Sequence, residues 1–361
     1  MRRRVAPALV LGALVLAGCS APGIPTPPAV DPTDTANTEP ITLVSGLAAP
    51  WSVVRLDRGG ALISQRDGGE VLELTASGDL REAGIVPGVV SGGESGLHGL
   101  ALLVDGETRW LYAYHGAADD NRVVRMPLTG EPGSLTLDVD AAEVVVADIP
   151  RASNHDGGRI AFGPDGMLYI ATGDAGQRDR ARDRDFLGGK ILRVTPEGEP
   201  ARGNPFGTAV YSLGHRNVQG LAWGDDGTLW ASEFGQDTWD ELNRIEAGGD
   251  YGWPDHEGFG RADDTIDPVA VWAPDEASPS GIAVIDDVVY VAGLRGARLW
   301  LYDTTTPSIE PWAVYTGRFG RLRDVVAGPG GTFWVLTNNT DGRGSPGRDD
   351  DRLLQLTLPE G

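Results

Sequence analysis

The 361-residue chain is short of cysteine, lysine and positive charge. It contains a single cysteine, Cys19, so an intramolecular disulfide is excluded. Only one of its 30 Lys and Arg residues is a lysine, Lys190, which disfavours catalysis through a Schiff-base lysine. Acidic residues number 52 and the formal net charge is −22. This negative charge argues against a nucleic-acid partner and against charge-driven binding to an anionic lipid surface.

The first 40 residues are typical of an exported, lipid-anchored protein. Three arginines at positions 2–4 precede a short apolar run, and residues 16–19 (Leu-Ala-Gly-Cys) resemble a bacterial lipobox. We expect residues 1–18 to be a signal peptide, Cys19 to carry the lipid, and the proline-rich residues 19–40 to form an extended tether. The protein is then expected outside the cytoplasm, at the cell membrane, held there by the lipid alone. An ordinary secretory signal is the alternative.

A turn followed by an apolar or alternating strand recurs through residues 41–361. The turns contain glycine or aspartate, and the units lie at residues 58–64, 164–170, 225–231, 286–291 and 329–335. A sixth unit is expected at residues 110–114, paired with residues 122–126. Spacings of about 60 residues between such units indicate repeated sheets around an axis. With 52 glycines, 25 prolines and no amphipathic pattern longer than two helical turns, the chain is predicted to be all-β, a six-bladed β-propeller.

Several polar loops adjoin the predicted inner strands and are expected to line one mouth of the propeller. The loop 154–159 (Asn-His-Asp-Gly-Gly-Arg) sets His155 on a glycine-flanked turn before an inner strand. Other loops bring Arg216, Arg295, Arg321 and Arg323 toward the same place. Guanidinium groups match planar carboxylates with two parallel hydrogen bonds. The residues alone therefore predict a flat ligand that bears several carboxylates.

These loops, together with residues 188–193 (GGKILR), 214–217 (GHRN) and 248–254 (GGDYGWP), resemble the soluble quinoprotein sugar dehydrogenases. The aldose sugar dehydrogenase branch is the more similar one, and the resemblance runs from about Gly46 to Leu354. It implies pyrroloquinoline quinone (PQQ) and calcium as cofactors and oxidation of aldose sugars at C1 to the lactone. The electrons would pass to an acceptor that the sequence does not identify. PQQ is a planar tricarboxylate, which agrees with the ligand inferred from the arginines.

The resemblance also implies a role for individual residues. His155 would be the general base that takes the proton of the C1 hydroxyl. Arg216 and Asn217 would hydrogen-bond the quinone oxygens, where Arg216 steadies developing negative charge. The other implied PQQ contacts are Glu94, Asn154, Arg295, Arg321 and Arg323. The implied calcium ligands are the carbonyl oxygens of Gly235 and Gln236 at a catalytic ion, and the Glu241 carboxylate with the Tyr251 main-chain oxygen at a structural ion.

Two departures and several alternatives accompany this interpretation. Glu94 stands where the family often has glutamine, and a carboxylate should repel a polyanion unless calcium or an arginine intervenes. Asn154 replaces an aspartate found in some members. A buried histidine bonded to a backbone carbonyl is the alternative for His155, and the four other histidines, including His215 beside Arg216, are expected to be structural. The alternative functions are a calcium-dependent lactonase-like hydrolase, which the arginines disfavour, and a non-catalytic carbohydrate-binding propeller lipoprotein.

Overall fold

The structure is a computed structural model that describes residues 39–260 and 264–358. The predicted signal peptide, the lipidation site Cys19 and nearly all of the predicted tether lie outside the described residues. The described part contains 25 β-strands and two short 3₁₀ helices, Val139–Ala141 and Arg178–Arg180. In these residues no helix is long and apolar enough to cross a membrane.

The strands form six antiparallel sheets, which we number as blades in chain order. The first strand of the described residues is β1 (Ile41–Val44). Blade 1 contains β2 (Pro50–Arg55), β3 (Ala61–Gln65), β4 (Glu70–Leu74) and β5 (Leu80–Ile85). Blade 2 contains β6 (Leu97–Asp105), β7 (Thr108–Gly116), β8 (Asn121–Thr129), β9 (Thr136–Leu137) and β10 (Glu143–Ile149). Blade 3 contains β11 (Ile160–Phe162), β12 (Leu168–Ala171), β13 (Lys190–Val194) and β14 (Val210–Leu213).

The second half of the chain completes the ring. Blade 4 contains β15 (Val218–Trp223), β16 (Leu229–Glu233), β17 (Asp240–Ile245) and β18 (Ala270–Trp272). Blade 5 contains β19 (Pro279–Ile285), β20 (Val288–Gly293), β21 (Arg298–Asp303) and β22 (Trp312–Val314). Blade 6 contains β23 (Leu322–Ala327), β24 (Phe333–Thr337) and β25 (Leu353–Leu356), and β1 pairs antiparallel with β25 at its outer edge. The last blade is thus closed by β1, the first strand of the described residues.

The first strand of each blade lies innermost. Neighbouring inner strands contact each other around the whole ring, from β2 through β6, β11, β15, β19 and β23 back to β2. The expected turn–strand units are the second strands of the blades, and the expected pairing of residues 110–114 with 122–126 is the β7–β8 register. The six-bladed propeller predicted from the repeats is therefore confirmed.

Apolar side chains fill the spaces between blades. One buried cluster lies between each neighbouring pair of blades, and the cluster between blades 2 and 3, for example, packs Tyr112 and Tyr114 against Ile160, Ile170 and Leu192. Both faces of every blade are covered in this way, which explains why many strands read as continuous apolar runs. The ends of the inner strands face the axis of the propeller rather than these clusters, and polar residues such as Gln219, Ser280 and Arg323 lie there.

The single lysine is part of this framework. Lys190 is fully buried at the start of β13, and its Nζ donates hydrogen bonds of 2.7 Å to the carbonyl oxygens of both Ala181 and Gly188. Burial lowers the pKa of Lys190 to about 7. The Ala181 oxygen also accepts the Gly214 N–H at 2.9 Å, so Lys190 ties the loop after β12 to the loop that carries Arg216.

Candidate active site

His155 forms a hydrogen-bonded pair with an acid from the neighbouring loop. Its Nδ1 lies 2.7 Å from Asp174 Oδ1, and the side chains are 15% and 1% exposed. Asp174 Oδ2 accepts the indole N–H of Trp253 at 2.8 Å, and Oδ1 also accepts the Gly176 N–H. Burial by itself would raise the pKa of Asp174, but the hydrogen bonds from His155, Gly176 and Trp253 outweigh it and hold that pKa below its usual value.

The pair fixes the protonation pattern of the imidazole. An ionised Asp174 only accepts hydrogen bonds, so Nδ1 of His155 carries the hydrogen and Nε2 has a free lone pair. Nε2 makes no hydrogen bond with any residue in the described parts of the chain. The alternative of a histidine satisfied by a backbone carbonyl is therefore not what the structure shows, because the partner of His155 is a carboxylate.

The backbone around His155 is held in an uncommon conformation. His155 has φ = 58°, in the left-handed region, and its N–H donates to Glu94 Oε2 at 2.9 Å. Gly157 follows with φ = 64°, and a Cβ there would lie 2.6 Å from the Gly173 nitrogen. The glycine in the motif thus lets the His155 loop pack directly against the Gly173–Asp174 backbone.

Arg216 and Asn217 place unpaired donors beside this loop. The Asn217 side-chain oxygen accepts the Gly157 N–H at 3.0 Å, whereas Nδ2 is buried and has no hydrogen-bond partner within the described residues. Arg216 Nη1 donates to the Phe234 carbonyl at 3.2 Å, and its buried Nε likewise has no partner there. A buried donor without an acceptor is costly, so these two atoms fit a ligand that supplies acceptor oxygens.

A polar cavity opens next to these donors, where several inner strands begin. Its lining includes Trp51, Arg66, Glu94, His98, Asp156, Gly157, Gln219, Phe234, Leu294, Arg323 and Arg343. Six histidine, aromatic and arginine side chains from four blades therefore surround one space. Burial raises the pKa of Asp156, whose carboxyl lines this space.

Arg323 supplies positive charge that no bonded acid neutralises. The side chain is 4% exposed, and its guanidinium donates to Gln219 Oε1 at 2.8 Å and to Asn338 Oδ1 at 2.9 Å. These partners are neutral amides, and the nearest carboxylate oxygen, of Asp341, is 3.8 Å away. Burial lowers the pKa of Arg323 to about 9, so the group is still charged at neutral pH. The cavity therefore suits an anion.

The remaining predicted cofactor residues occupy different settings. Arg321 donates to Asp341 Oδ2 at 2.9 Å, so its charge is locally balanced by an acid. Arg295 is exposed and makes no hydrogen bond or ion pair with a described residue, although its neighbour Leu294 lines the cavity. Asn154 is exposed as well, with no side-chain hydrogen bond to the described part of the chain. Of the arginines predicted to gather here, Arg323 lies in the cavity wall.

The predicted calcium ligands lie together around a second, smaller cavity. Its lining includes Gly235, Glu241 and Tyr251. The family resemblance implies that Gly235 binds the catalytic ion and that Glu241 and Tyr251 bind the structural ion. The N–H groups of Gly235 and Gln236 donate to the carboxylates of Asp240 and Glu257, and their carbonyl oxygens accept no hydrogen bond from the described residues.

The acids in this cavity, and Asp240 beside it, are consistent with a hard cation. Glu241 is 5% exposed and accepts the Gly258 N–H at 2.8 Å. Burial raises the pKa of Asp240 to about 6, despite amide hydrogen bonds from Ser278 and Gly235. Unpaired carbonyls beside buried carboxylates are oxygen donors of the kind that calcium prefers. Within the described ranges no group of three or more His, Cys, Asp or Glu side chains is arranged to hold a metal, so any such site depends on backbone oxygens.

Comparison with known proteins defines the group to which this arrangement belongs. Residues 47–353 match the family described as Glucose / Sorbosone dehydrogenase. The chain belongs to the glucose/sorbosone dehydrogenase family. The expected resemblance to soluble quinoprotein sugar dehydrogenases and the expectation of an oxidoreductase are thereby confirmed.

Individual members of the family support the same assignment. Aldose sugar dehydrogenase YliI of Escherichia coli K12 is 31% identical over 346 residues, which is 85% of this chain and 91% of the relative. The PQQ-bound aldose sugar dehydrogenase of Streptomyces coelicolor is 48% identical, with a TM-score of 0.83 over 90% of this chain and 99% of that chain. The apo form of the soluble E. coli enzyme has a TM-score of 0.76 at 27% identity, covering 89% and 99%.

Several residues of this family site were missed by the sequence reasoning. Asp174 and Trp253 complete the His155 pair, and Gln219 and Asn338 hold Arg323. Asp174 does carry a local signal, because it is an acid three residues after the end of β12, at the same mouth as His155. Trp253 lies inside the motif at 248–254, but nothing in that motif identifies its partner.

Proposed function

We propose that this chain oxidises aldose sugars at C1 to the lactone, with PQQ as the oxidant and calcium beside it. The observation that carries the proposal is the His155–Asp174 pair, which leaves Nε2 of His155 without a described hydrogen-bond partner. The loop of His155 is itself hydrogen-bonded to Asn217, which together with Arg216 has an unpaired buried donor. The PQQ-bound relative at 48% identity supports the choice of cofactor.

The residues present fit a flat polyanion with carbonyl oxygens. Asn217 Nδ2 and Arg216 Nε would donate to acceptor oxygens, since both atoms are buried and unpaired within the described residues. Arg323, charged and hydrogen-bonded to the neutral side chains of Gln219, Asn338 and Ser280, would attract carboxylates. Exposed Arg295 would add charge at the rim. When bound, PQQ supplies a two-electron acceptor for the hydride that leaves C1 of the sugar.

His155 handles the proton of the reaction. Because Nδ1 donates to Asp174, the lone pair of Nε2 can accept the proton of the C1 hydroxyl as the C–H bond breaks. The Asp174 carboxylate then stabilises the imidazolium and keeps the ring oriented by its second set of hydrogen bonds, from Trp253 and Gly176. Arg216 would place its positive charge beside the quinone oxygens of the cofactor, where negative charge would develop during its reduction.

Calcium and the lipid anchor are further parts of the proposal. The carbonyl oxygens of Gly235 and Gln236 would hold the catalytic ion, whose charge would polarise the cofactor, and Glu241 with the Tyr251 carbonyl would hold a structural one. We also propose that the protein is attached outside the cytoplasm through lipidated Cys19, on the basis of residues 2–19. A Cys19→Ala variant that stays in the membrane fraction would refute the anchor.

Reconstitution tests the function directly. Purified apo-protein is mixed with calcium and PQQ and then given glucose and an artificial dye that bleaches on reduction. We expect bleaching that requires both additives, with each omitted in turn as the control. Failure to bind PQQ at micromolar concentration would overturn the proposal. Hydrolysis of a sugar lactone with calcium alone would favour the lactonase alternative, and sugar binding without turnover would favour a non-catalytic propeller.

A further inference from the structure

The wall of the cofactor cavity contains an ion pair between blades 2 and 6. Arg343 Nη1 lies 3.1 Å from Glu94 Oε1, and both residues line the cavity that also contains Arg323. The other carboxylate oxygen of Glu94 accepts the His155 N–H at 2.9 Å. Glu94 therefore connects Arg343 to the backbone of the proposed base.

A stiff turn presents Arg343 to this cavity. The Arg343 N–H donates to Oδ1 of buried Asp341 at 2.9 Å, and Oδ2 of the same carboxylate holds Arg321. A Cβ on Gly344 would lie 2.5 Å from the Asn339 oxygen, so the chain folds back on itself immediately after Arg343. The backbone is fixed at both sides, whereas the Arg343 side chain is 51% exposed and can reorient.

The Arg343 guanidinium also has donors to spare. Arginine has five N–H groups, and the single bond to Glu94 is the only side-chain hydrogen bond of Arg343 within the described residues. A partly exposed ion pair contributes little to stability. A ligand carboxylate, which can take two parallel guanidinium hydrogen bonds, can therefore compete with Glu94 for Arg343.

We propose that Arg343 is an additional carboxylate-binding residue for the cofactor, and that cofactor entry exchanges the Glu94–Arg343 ion pair for an Arg343–cofactor one. The Glu94 carboxylate thus binds Arg343 in place of a cofactor carboxylate and is not itself a cofactor ligand. It positions Arg343 and the His155 loop before the cofactor binds, and its own charge opposes the incoming polyanion. The inference rests on the proposed binding of PQQ.

Two substitutions should change PQQ affinity in opposite directions. Arg343→Gln removes the positive charge and the pair of parallel guanidinium donors, and we expect the Kd for PQQ to rise by about 10- to 100-fold. Glu94→Gln removes the competing charge but keeps an oxygen for the His155 N–H, so we expect the Kd to fall by about 3- to 10-fold. Arg348→Gln is the matched control, because Arg348 is exposed on the same loop and makes no ion pair with the described residues; its Kd should not change.

Calorimetric titration of the calcium-loaded apo-proteins with PQQ measures these constants without turnover. The trimethyl ester of PQQ, which lacks carboxylate charge, should bind the wild type and Arg343→Gln equally. Equal PQQ affinity of the wild type and Arg343→Gln overturns the inference while leaving the proposed function intact. Weaker binding by Glu94→Gln overturns the exchange and restores Glu94 as a direct ligand. A wild type that does not bind PQQ refutes the proposed function itself.

Discussion

Two histidines on neighbouring blades are bonded to acids in the same way and yet differ in what they can do. His155 Nδ1 lies 2.7 Å from Asp174, and His215 Nδ1 lies 2.8 Å from Glu233. The second nitrogen of His215 is bonded to the Ser212 hydroxyl at 2.8 Å, and the residue is fully buried. The second nitrogen of His155 is unengaged by the described residues, and the side chain is partly exposed.

The difference shows that a histidine–carboxylate pair is not itself a sign of catalysis. Both pairs orient a ring, but His215 stacks on Tyr251 with 4.6 Å between ring centroids and has no nitrogen left for a substrate. Its partner Glu233 also accepts the Arg216 N–H, so the His215 pair supports the loop that carries Arg216 and Asn217. The His155–Asp174 pair is suited to proton transfer, whereas the His215–Glu233 pair is suited to holding the loop that carries Arg216.

The largest effect on turnover is expected at His155. Replacement by asparagine, which tolerates a positive φ, removes the proton acceptor while keeping the backbone conformation. We expect kcat to fall by about 10²- to 10⁴-fold, the usual contribution of a general base, with PQQ affinity nearly unchanged. Stopped-flow dye reduction and PQQ titration measure the two quantities. Turnover near the wild-type level would remove the distinction between the two histidines.

Asp174→Asn should have an intermediate effect. The amide oxygen can still accept from Nδ1, but the neutral group no longer stabilises the imidazolium, so we expect kcat to fall by about 100-fold, the lower end of the usual contribution of a general base.

Acid unfolding gives an independent readout at the same position. The pKa of Asp174 is lowered in the folded protein, so its contribution to stability is present above the ordinary value of 3.8 and is lost as pH falls through the lowered value. As pH falls from 3.8 through the lowered pKa of Asp174, the free energy of unfolding of Asp174→Asn should therefore decrease less than that of the wild type. Identical unfolding free-energy curves against pH would contradict this assignment.

The smallest effect on turnover is expected at His215. His215→Phe fills the space and keeps the stacking on Tyr251, but it leaves buried Glu233 without the imidazole. We expect the free energy of unfolding to fall by about 3 kcal/mol, and kcat per folded molecule to fall less than in either variant above. Urea denaturation and active-site titration separate the two. A loss of turnover as large as that of His155→Asn, with stability intact, would make His215 a second reactive group.

Much of the fold follows from the sequence because its information is local and repeated. Each turn–strand unit marks the second strand of a blade, and even the unit at residues 110–114, which lacks the glycine turn, occupies that place in β7. The closure of blade 6 by β1 could not be predicted from a local sequence pattern. That pairing joins the two ends of the propeller, and the local pattern of residues 41–44 does not specify a partner such as Gln355, 314 positions after Ile41.

The candidate site was predictable in its residue types but not in its connections. His155 and Arg323 reach the expected mouth because they adjoin inner strands. Asp174, by contrast, is one of 52 acidic residues, and its distance to His155 depends on how the loops before β11 and after β12 fold at one end of blade 3. The sequence also cannot distinguish buried Arg323 from exposed Arg295, since burial is decided by neighbouring loops.

The enclosure of Lys190 has a practical consequence for handling the protein. Amine-reactive dyes, cross-linkers and electrode coatings attack accessible primary amines, and the one ε-amino group of this chain is surrounded by the carbonyl oxygens of Ala181, Gly188 and Arg180. Such reagents should therefore leave the side chains of the folded propeller unlabelled.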